Sequence, residues 1–211
     1  MLLCFDYDGV IVDSLAQQLR IVQQARAQLG IGREPSRADF QSIEDLSYDG
    51  FAKHIGIPAE QWPHWRETIL TLLKSEQELP PAFPDIVPVI RELGSRFPIV
   101  IITSNIRQIV EKSLAELALS SSIENIFDGQ LRGSKADKIK QASDGAGIPL
   151  SSTYMIGDTR GDVRHAKAAG AKSIAAEWGY QSKKILEIEQ PDAFAKIPRD
   201  LLEFFGVLEV H

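Results

Sequence analysis

The sequence predicts an α/β fold, a Rossmann-like doubly wound parallel sheet with an α-helical cap domain inserted after the first strand. Short apolar runs, typical of parallel strands buried on both faces, alternate with segments of helical period. Residues 15–80 interrupt this alternation with helical periodicity alone. Acidic residues follow two of the apolar runs, at the sheet edge where open α/β folds place their sites.

The first apolar run, residues 1–5, predicts a buried strand. Helical spacing that starts at Leu15 predicts a helix closing at Gly30 or Gly32. The proline-rich segment 79–84 then breaks the helical pattern and indicates a boundary.

Beyond this boundary, helices and strands alternate regularly, as a parallel sheet with right-handed crossovers requires. The predicted helices contain Ile86–Phe97, Val110–Leu117, a segment from Ala136 and Val163–Ala169, and the predicted strands are Ile99–Ile102, a run ending at Ile156, and Ser173–Ala176. We therefore assign residues 1–14 and 81–211 to the core and residues 15–80 to the cap.

The composition limits the partners and the cellular location that we expect for this protein. The 211 residues carry a formal net charge of −6, which argues against nucleic acid or an anionic membrane as a partner. Cys4 is the only cysteine, so no internal disulfide forms, and we expect a small buried strand residue there. No stretch approaches the roughly 20 apolar residues that span a bilayer. A cytoplasmic protein is expected, as a monomer or weak homodimer.

The aspartates after two of the strands predict a metal site. Asp6 and Asp8 follow the first strand, and Asp158 and Asp162 follow the strand that ends at Ile156. Because like charges gathered at neighbouring strand ends repel, the arrangement predicts a hard cation, Mg²⁺. Asp158 is placed as a direct ligand, whereas Asp162 either binds through water or orients its neighbour.

The first cluster also suits covalent chemistry. Gly9 supplies a permissive backbone for a turn that lets both Asp6 and Asp8 face the crevice. One carboxylate could attack phosphorus while the other protonates the leaving oxygen and later deprotonates water, so that an aspartyl-phosphate divides the reaction into two easier steps. The alternative is an ordinary acidic turn.

Two further positions point to phosphate binding. The hydroxyl of Thr103 and the amides that open the next helix are suited to phosphate oxygens, although Thr103 could instead only cap that helix. Lys135 precedes a later helix and could neutralise both the nucleophile and the phosphate. Lys138 competes for this role.

With these features in order, the chain resembles the phosphatases of the haloacid dehalogenase superfamily, in the branch with phosphoglycolate phosphatases and β-phosphoglucomutases. The resemblance covers nearly the whole length, although the Lys135 region lacks the branch's Lys-Pro-x-Pro form. The resemblance implies that Asp6 is the nucleophile and a Mg²⁺ ligand, and that Asp8 is the general acid/base and binds Mg²⁺ through its backbone carbonyl. Asp158 would be the third Mg²⁺ ligand, with Asp162 in support. The phosphoryl group would be held by Thr103 and Lys135, with Gly9, Ser104 and Asn105 around the phosphate.

The resemblance implies a Mg²⁺-dependent phosphatase acting on a small phosphorylated metabolite, a phosphoglycolate-like organic acid or a sugar phosphate. Dehalogenases and phosphonate hydrolases of this fold lack an aspartate at the position of Asp8, which argues against both. A phosphosugar mutase of the β-phosphoglucomutase type and a non-catalytic binding protein stay open as alternatives. Four polar residues of the cap are expected on a solvated helix surface and are alternatively contacts for a substrate carboxylate or second phosphate: Lys53, His54, His64 and Arg66.

Overall fold

The computed structural model describes residues 1–44 and 46–207. At its centre lies a sheet of six parallel strands in the order β3-β2-β1-β4-β5-β6. The strands are β1 (Leu2–Phe5), β2 (Ile99–Ile102), β3 (Asn125–Phe127), β4 (Thr153–Gly157), β5 (Lys172–Ala176) and β6 (Ala193–Ala195). The predicted parallel α/β fold is confirmed.

Ten α-helices are found among the described residues. They are α1 (Leu15–Leu29), α2 (Arg37–Ser42), α3 (Tyr48–His54), α4 (Trp62–Ser75), α5 (Ile86–Gly94), α6 (Arg107–Glu116), α7 (Lys135–Ala146), α8 (Arg160–Ala169), α9 (Lys183–Leu186) and α10 (Asp200–Phe204). Within the described ranges, no helix has both the length and the apolar character that crossing a membrane demands. The predicted helices are all present, whereas the short strands β3 and β6 were not predicted.

Both faces of the sheet are covered, as a doubly wound fold requires. Leu3 and Phe5 of β1 point into a cluster that includes residues of α5, α6 and α10. Leu2 and Cys4 point to the opposite face, into a cluster with α7 and α8. This alternation follows from the two-residue period of a strand and buries Cys4 completely, as predicted.

From β1, which lies between β2 and β4, the strands β2 and β3 follow on one side and β4 to β6 on the other, so the strand order reverses at β1. Leu3 is in register with Ile99 on one side and with Tyr154 on the other. The carboxyl ends of the three strands therefore end side by side, at the switch point where open α/β sheets bind ligands. The register brings the residues that follow these strands to one edge.

Helices α1–α4 pack around a cluster of their own between β1 and α5 in the chain. Trp65 is fully buried there, stacked on Phe51 with ring centroids 6.4 Å apart, and its Nε1 donates a hydrogen bond to the Tyr48 carbonyl. Ile106 and Tyr180 join this cluster from the other part of the chain. The division into a core of residues 1–14 and 81–211 and a cap of residues 15–80 stays a prediction.

Three glycines let the loops at the strand ends approach the aspartates closely. An ideal Cβ on Gly9 would lie 2.2 Å from Asp158 Oδ2, and one on Gly179 would lie 2.2 Å from Asp158 Cβ. A Cβ on Gly157 would lie 2.3 Å from Asp162 Cβ. Gly9 also has φ of 81°, a conformation that favours glycine. A larger residue at any of the three would displace a carboxylate.

A buried carboxylate holds the chain between α1 and α3. Asp39, which is 5 % exposed, accepts hydrogen bonds from Arg33, His54 and the backbone and hydroxyl of Ser36. The Arg33 hydrogen bond is the largest influence and, against the effect of burial, lowers the pKa of Asp39 well below its usual range. His54 is therefore an Asp39 partner in the structure.

We expect Gly179→Ala to lower the free energy of unfolding by about 1–3 kcal/mol, because the added methyl group forces Asp158 or the Gly9 backbone to move. Gly145→Ala is the matched control. Its added Cβ meets no atom within 4 Å, so we expect a gain of about 0.4–1 kcal/mol from the stiffer unfolded chain. Urea denaturation measures both, and a Gly179→Ala protein as stable as the wild type would contradict the close packing.

We expect Asp39→Asn to lower the free energy of unfolding at pH 7 by about 1.5–3 kcal/mol, the usual worth of hydrogen bonds to a charged group. Because the folded pKa is depressed, this contribution is present above the unfolded pKa of about 3.9 and is lost as the pH falls through the folded value. The difference between the two proteins should therefore shrink below about pH 4 in urea titrations.

Glu92→Gln is the control for that series. Glu92 lies 3.6 Å from Arg96 in an exposed pair, for which we expect a loss below about 1 kcal/mol. Equal losses in the two variants at pH 7 would contradict a special role for the buried carboxylate.

Candidate active site

The strand ends gather the predicted residues around one cavity of about 570 Å³. Asp6 follows β1, Thr103 follows β2, and Lys135 begins α7. The predicted residues that line the cavity are Asp6, Asp8, Thr103, Ser104, Asn105, Lys135 and Asp162. Asp158 lies fully buried, and Gly9 packs against it. The structure therefore brings the predicted residues together, with Asp158 and Gly9 not among those that line the cavity.

Three of the four aspartates form a compact acidic triad. Asp6, Asp158 and Asp162 each offer a carboxylate oxygen, and these oxygens all lie within 4.8 Å of one another. All three residues are at most 6 % exposed. Three carboxylates at this spacing repel one another strongly in a medium of low dielectric constant, so positive charge has to accompany them.

Lys135 supplies part of that charge. Its Nζ donates to Asp6 Oδ2 at 2.5 Å and to Asp162 Oδ1 at 2.6 Å. Burial by itself would lower the pKa of Lys135, but the two carboxylates outweigh it and raise the pKa above its ordinary value. Lys138, the competing candidate, instead donates to the Asp128 carbonyl at 2.6 Å. The structure thus places Lys135 against Asp6 and Asp162.

Asp162 is held by its own helix start as well as by Lys135. Thr159 caps α8, and Asp162 returns the contact by accepting from the Thr159 backbone and hydroxyl, which forms a capping box. Burial alone would raise the pKa of Asp162, yet Lys135 and Thr159 bring it below the usual value. Asp162 is therefore the member of the triad whose negative charge is best supported.

Asp158 is the member with the least support. Its Oδ2 accepts from the Tyr180 amide at 2.7 Å, while its Oδ1 is buried without a hydrogen-bond partner in the described part of the chain. Burial, followed by the charges of Asp162 and Asp6, raises the pKa of Asp158 well above its usual value. A buried acceptor without a donor is costly, and a bound cation would satisfy it. Asp6, Asp158 and Asp162 could hold a metal ion.

Asp8 is held apart from the triad by neutral donors. Its Oδ1 accepts from the Ser14 hydroxyl at 2.6 Å and from Gln18 Nε2 at 3.3 Å, and its Oδ2 accepts from Asn105 Nδ2 at 3.0 Å. The Ser14 oxygen in turn lies 2.6 Å from the hydroxyl of Tyr180. Burial is the leading influence on Asp8 and raises its pKa. These donors orient the carboxyl group toward the cavity.

Sequence reasoning assigned no role to Ser14, Gln18 or Tyr180. Ser14 and Tyr180 are 166 residues apart in the chain, and nothing in the sequence indicated that they meet. Asn105 was predicted to lie at the phosphate. In the structure its side-chain amide donates a hydrogen bond to Asp8. Its Oδ1 accepts from the Ile106 backbone at 2.7 Å.

Thr103 lies where β2 ends, and its hydroxyl oxygen accepts a hydrogen bond from the backbone amide of Asn105 at 2.9 Å. Its hydroxyl proton is therefore directed elsewhere and can serve a ligand in the cavity. The loop around it is joined to the end of β3, because the Thr103 amide donates to the Phe127 carbonyl at 3.0 Å and the Gly129 amide to the Asn105 carbonyl at 2.8 Å.

The helices α1–α4 also reach the cavity. Of the four polar cap residues singled out in the sequence, Arg66 lines it, paired with Asp49 at 2.7 Å. Lys53, His54 and His64 do not line it. One contact between this part of the chain and the rest is made by Gln181, whose Nε2 donates to the Ile43 carbonyl at 2.7 Å.

Sequence comparison relates the chain to known proteins. A sequence model of the haloacid dehalogenase-like hydrolase family matches residues 3–176. The chain is 26 % identical over 200 residues to a phosphoglycolate phosphatase of Synechococcus elongatus, covering 94 % of each chain. It is 25 % identical over 199 residues to a phosphoglycolate phosphatase of Neisseria gonorrhoeae, covering 86 % of this chain and 82 % of the relative.

Solved structures share the fold over the whole length. A hydrolase from Pseudomonas syringae superposes with a TM-score of 0.82 at 22 % identity, covering 100 % of both chains. A haloacid dehalogenase-like family hydrolase from Streptococcus pneumoniae gives a TM-score of 0.81 at 23 % identity, covering 97 % of both. The family match begins in β1 and ends with β5, so it includes every strand end that carries a predicted site residue. Because this match covers most of its length, the chain belongs to the haloacid dehalogenase-like hydrolase family.

Proposed function

We propose that this protein is a Mg²⁺-dependent phosphatase that hydrolyses a small phosphomonoester through an aspartyl-phosphate on Asp6. The observation that carries the proposal is that Asp6 and Asp8 open into one cavity, while Lys135 is bonded to Asp6. A nucleophile and an acid/base group within one site are what two-step phosphoryl transfer needs. The relatives named as phosphatases favour hydrolysis over the mutase alternative.

In the first step, a carboxylate oxygen of Asp6 attacks phosphorus, and the bond between phosphorus and the leaving oxygen breaks. Asp8 gives its proton to that oxygen. The raised pKa of Asp8, caused first by burial, favours the protonated form that a general acid requires. Ser14, Gln18 and Asn105 keep the group aimed at the leaving oxygen.

In the second step, Asp8 removes a proton from water as the water oxygen attacks the phosphorus of the aspartyl-phosphate. The bond between phosphorus and the Asp6 oxygen breaks, which releases phosphate and restores the carboxylate. Thr103 and Lys135 would hold the phosphoryl oxygens during both steps, through a hydroxyl and an ammonium group that face the cavity.

The donor set fits Mg²⁺. Asp6, Asp158 and Asp162 are hard oxygen ligands, and the unpartnered Oδ1 of Asp158 is an acceptor that a cation would satisfy. When bound, the ion would offset the charge of the triad and of the phosphoryl group. The backbone carbonyl of Asp8 stays a predicted further ligand.

The substrate proposal is a phosphoglycolate-like organic acid or a sugar phosphate. The cavity of about 570 Å³ has room for either, and Arg66 with Asp49 provides polar groups on its outer side. A cytoplasmic location and a monomeric or weakly dimeric state stay predictions.

We expect Asp6→Asn to lower kcat by at least about 1000-fold on any substrate found in a phosphomonoester panel, because the covalent step loses its nucleophile. Asp8→Asn should lower kcat by about 100- to 10,000-fold and let a phosphoenzyme accumulate, because water attack loses its base. Phosphate release and acid-trapped labelled protein measure these effects.

Asp13→Asn is the matched control, since Asp13 belongs to the same acidic loop but is exposed. It should turn over at close to the wild-type rate. Substantial activity in Asp6→Asn, or no hydrolysis by the wild type across the panel with Mg²⁺, would refute the proposal.

We expect Mg²⁺ to raise the melting temperature of the wild type increasingly as its concentration rises above the dissociation constant, since a ligand that binds only the folded state stabilises it. Asp158→Asn should lose most of this rise and melt higher than the wild type without metal, because one of the repelling carboxylates is gone. Differential scanning fluorimetry with and without EDTA measures both.

Asp144→Asn removes the same formal charge from an exposed position on α7 and should respond to Mg²⁺ as the wild type does. An undiminished Mg²⁺ response in Asp158→Asn would show that the triad is not the metal site.

A further inference from the structure

Lys138 is a buried lysine whose charge the proposed mechanism does not use. It lies on α7 one helical turn after Lys135, lines the same cavity and is 5 % exposed. The only hydrogen bond of its ammonium group among the described residues is donated to the Asp128 carbonyl, at 2.6 Å. The Asp128 carboxylate also acts on the charge of Lys138 but is paired with Arg107, and within the described residues Lys138 forms no ion pair. An ammonium group has three donors, and burying one without a counter-charge is unfavourable. The ammonium group of Lys138 can therefore donate to an anion bound in the cavity.

The position of Lys138 differs from that of Lys135. Asp128 directly follows β3, and this strand end is bonded to the Thr103 loop through the Phe127 carbonyl. Lys138 therefore stands on the Thr103 side of the cavity, whereas Lys135 stands between Asp6 and Asp162. Lys138 and Asp6 line the same cavity, so Lys138 shares the site of the proposed nucleophile.

The charges of the site leave a role for a second lysine. Lys135 is already bonded to two carboxylates, Asp6 and Asp162. With Asp8 protonated as the general acid, Lys135 and one divalent cation only balance the three carboxylates of the triad. A phosphomonoester brings about two negative charges at pH 7, as phosphorylated side chains do. Lys138 adds the positive charge that makes the site attractive to such a dianion.

We propose that Lys138 binds a non-bridging oxygen of the phosphoryl group from the Thr103 side, as a second phosphate-binding cation. The proposal rests on the proposed phosphatase function, since it names a group that holds the same substrate. It extends equally to the product, inorganic phosphate. In this arrangement Lys135 contacts both the nucleophile and the phosphoryl group, and Lys138 joins Lys135 and Thr103 in holding the phosphoryl oxygens.

The test is the affinity for inorganic phosphate, measured by isothermal titration calorimetry in the presence of Mg²⁺, which needs no turnover. Lys138→Gln keeps a donor for the Asp128 carbonyl and removes the charge. We expect it to weaken phosphate binding by about 10- to 100-fold, as the loss of a charge-assisted hydrogen bond does. Lys138→Arg, which restores the charge, should recover most of the affinity. For a substrate from the panel, KM should rise more than kcat falls.

Arg107→Met is the matched control for a purely structural role. Arg107 supports the same loop, donating to Asp128 Oδ2 at 3.2 Å and to the Ile126 carbonyl, but it does not line the cavity. Near wild-type phosphate affinity in Arg107→Met, with the loss confined to Lys138→Gln, supports the proposal. Equal losses in the two variants would overturn it, because they would assign Lys138 to loop support alone.

The outcomes also separate this inference from the function on which it rests. A wild type that binds phosphate through Lys138 but hydrolyses no monoester would refute the proposed phosphatase and keep the anion site. A wild type that hydrolyses monoesters, with Lys138→Gln binding phosphate unchanged at wild-type thermal stability, would overturn the inference alone. Should Lys138→Gln fail to fold, the arginine variant decides, since a tenfold loss of phosphate affinity there with intact charge would contradict charge recognition.

Discussion

The mutual repulsion of three buried carboxylates is the constraint around which this molecule is organised. Asp6, Asp158 and Asp162 converge within 4.8 Å because parallel register aligns the ends of β1 and β4. In a medium of low dielectric constant that convergence is tolerable only with compensating positive charge. Lys135 reaches two of the three carboxylates, and an oxygen of Asp158 has no partner among the residues that the structure describes. The unsatisfied part of the cluster is the part that suits a metal.

Local structure holds this unfavourable cluster in place. The capping box at the start of α8 fixes Asp162 by the same bonds that satisfy the first amides of the helix. Gly9 and Gly179 enclose Asp158 so closely that neither position admits a Cβ. Stabilising contacts of the fold are therefore used to hold groups that repel one another, which is the usual relation between stability and function in an active site.

The sequence predicted the central strands because each is buried on both faces and reads as an apolar run, as Ile99–Ile102 does. It missed β3 and β6, which are three residues long and too short for a period to emerge. It named the aspartates because their positions at strand ends are local properties. It could not assign the donors to Asp8, since Ser14 and Asn105 come from distant segments. It also could not decide whether Lys135 or Lys138 is the active-site lysine, because that depends on how α7 is rotated in the packed structure.

The hydrogen bonds of Asp8 connect the position of α1 with the chemistry. Ser14 directly precedes α1 and Gln18 lies in its first turn, so two of the three donors to Asp8 move with that helix. A displacement of α1 relative to β1 would change the direction of the Asp8 carboxyl group, whereas Asp6 and Lys135 are fixed by the sheet and by α7. The aim of the proton donor thus depends on α1, while the nucleophile and the acidic triad are held by the parallel sheet together with α7 and α8.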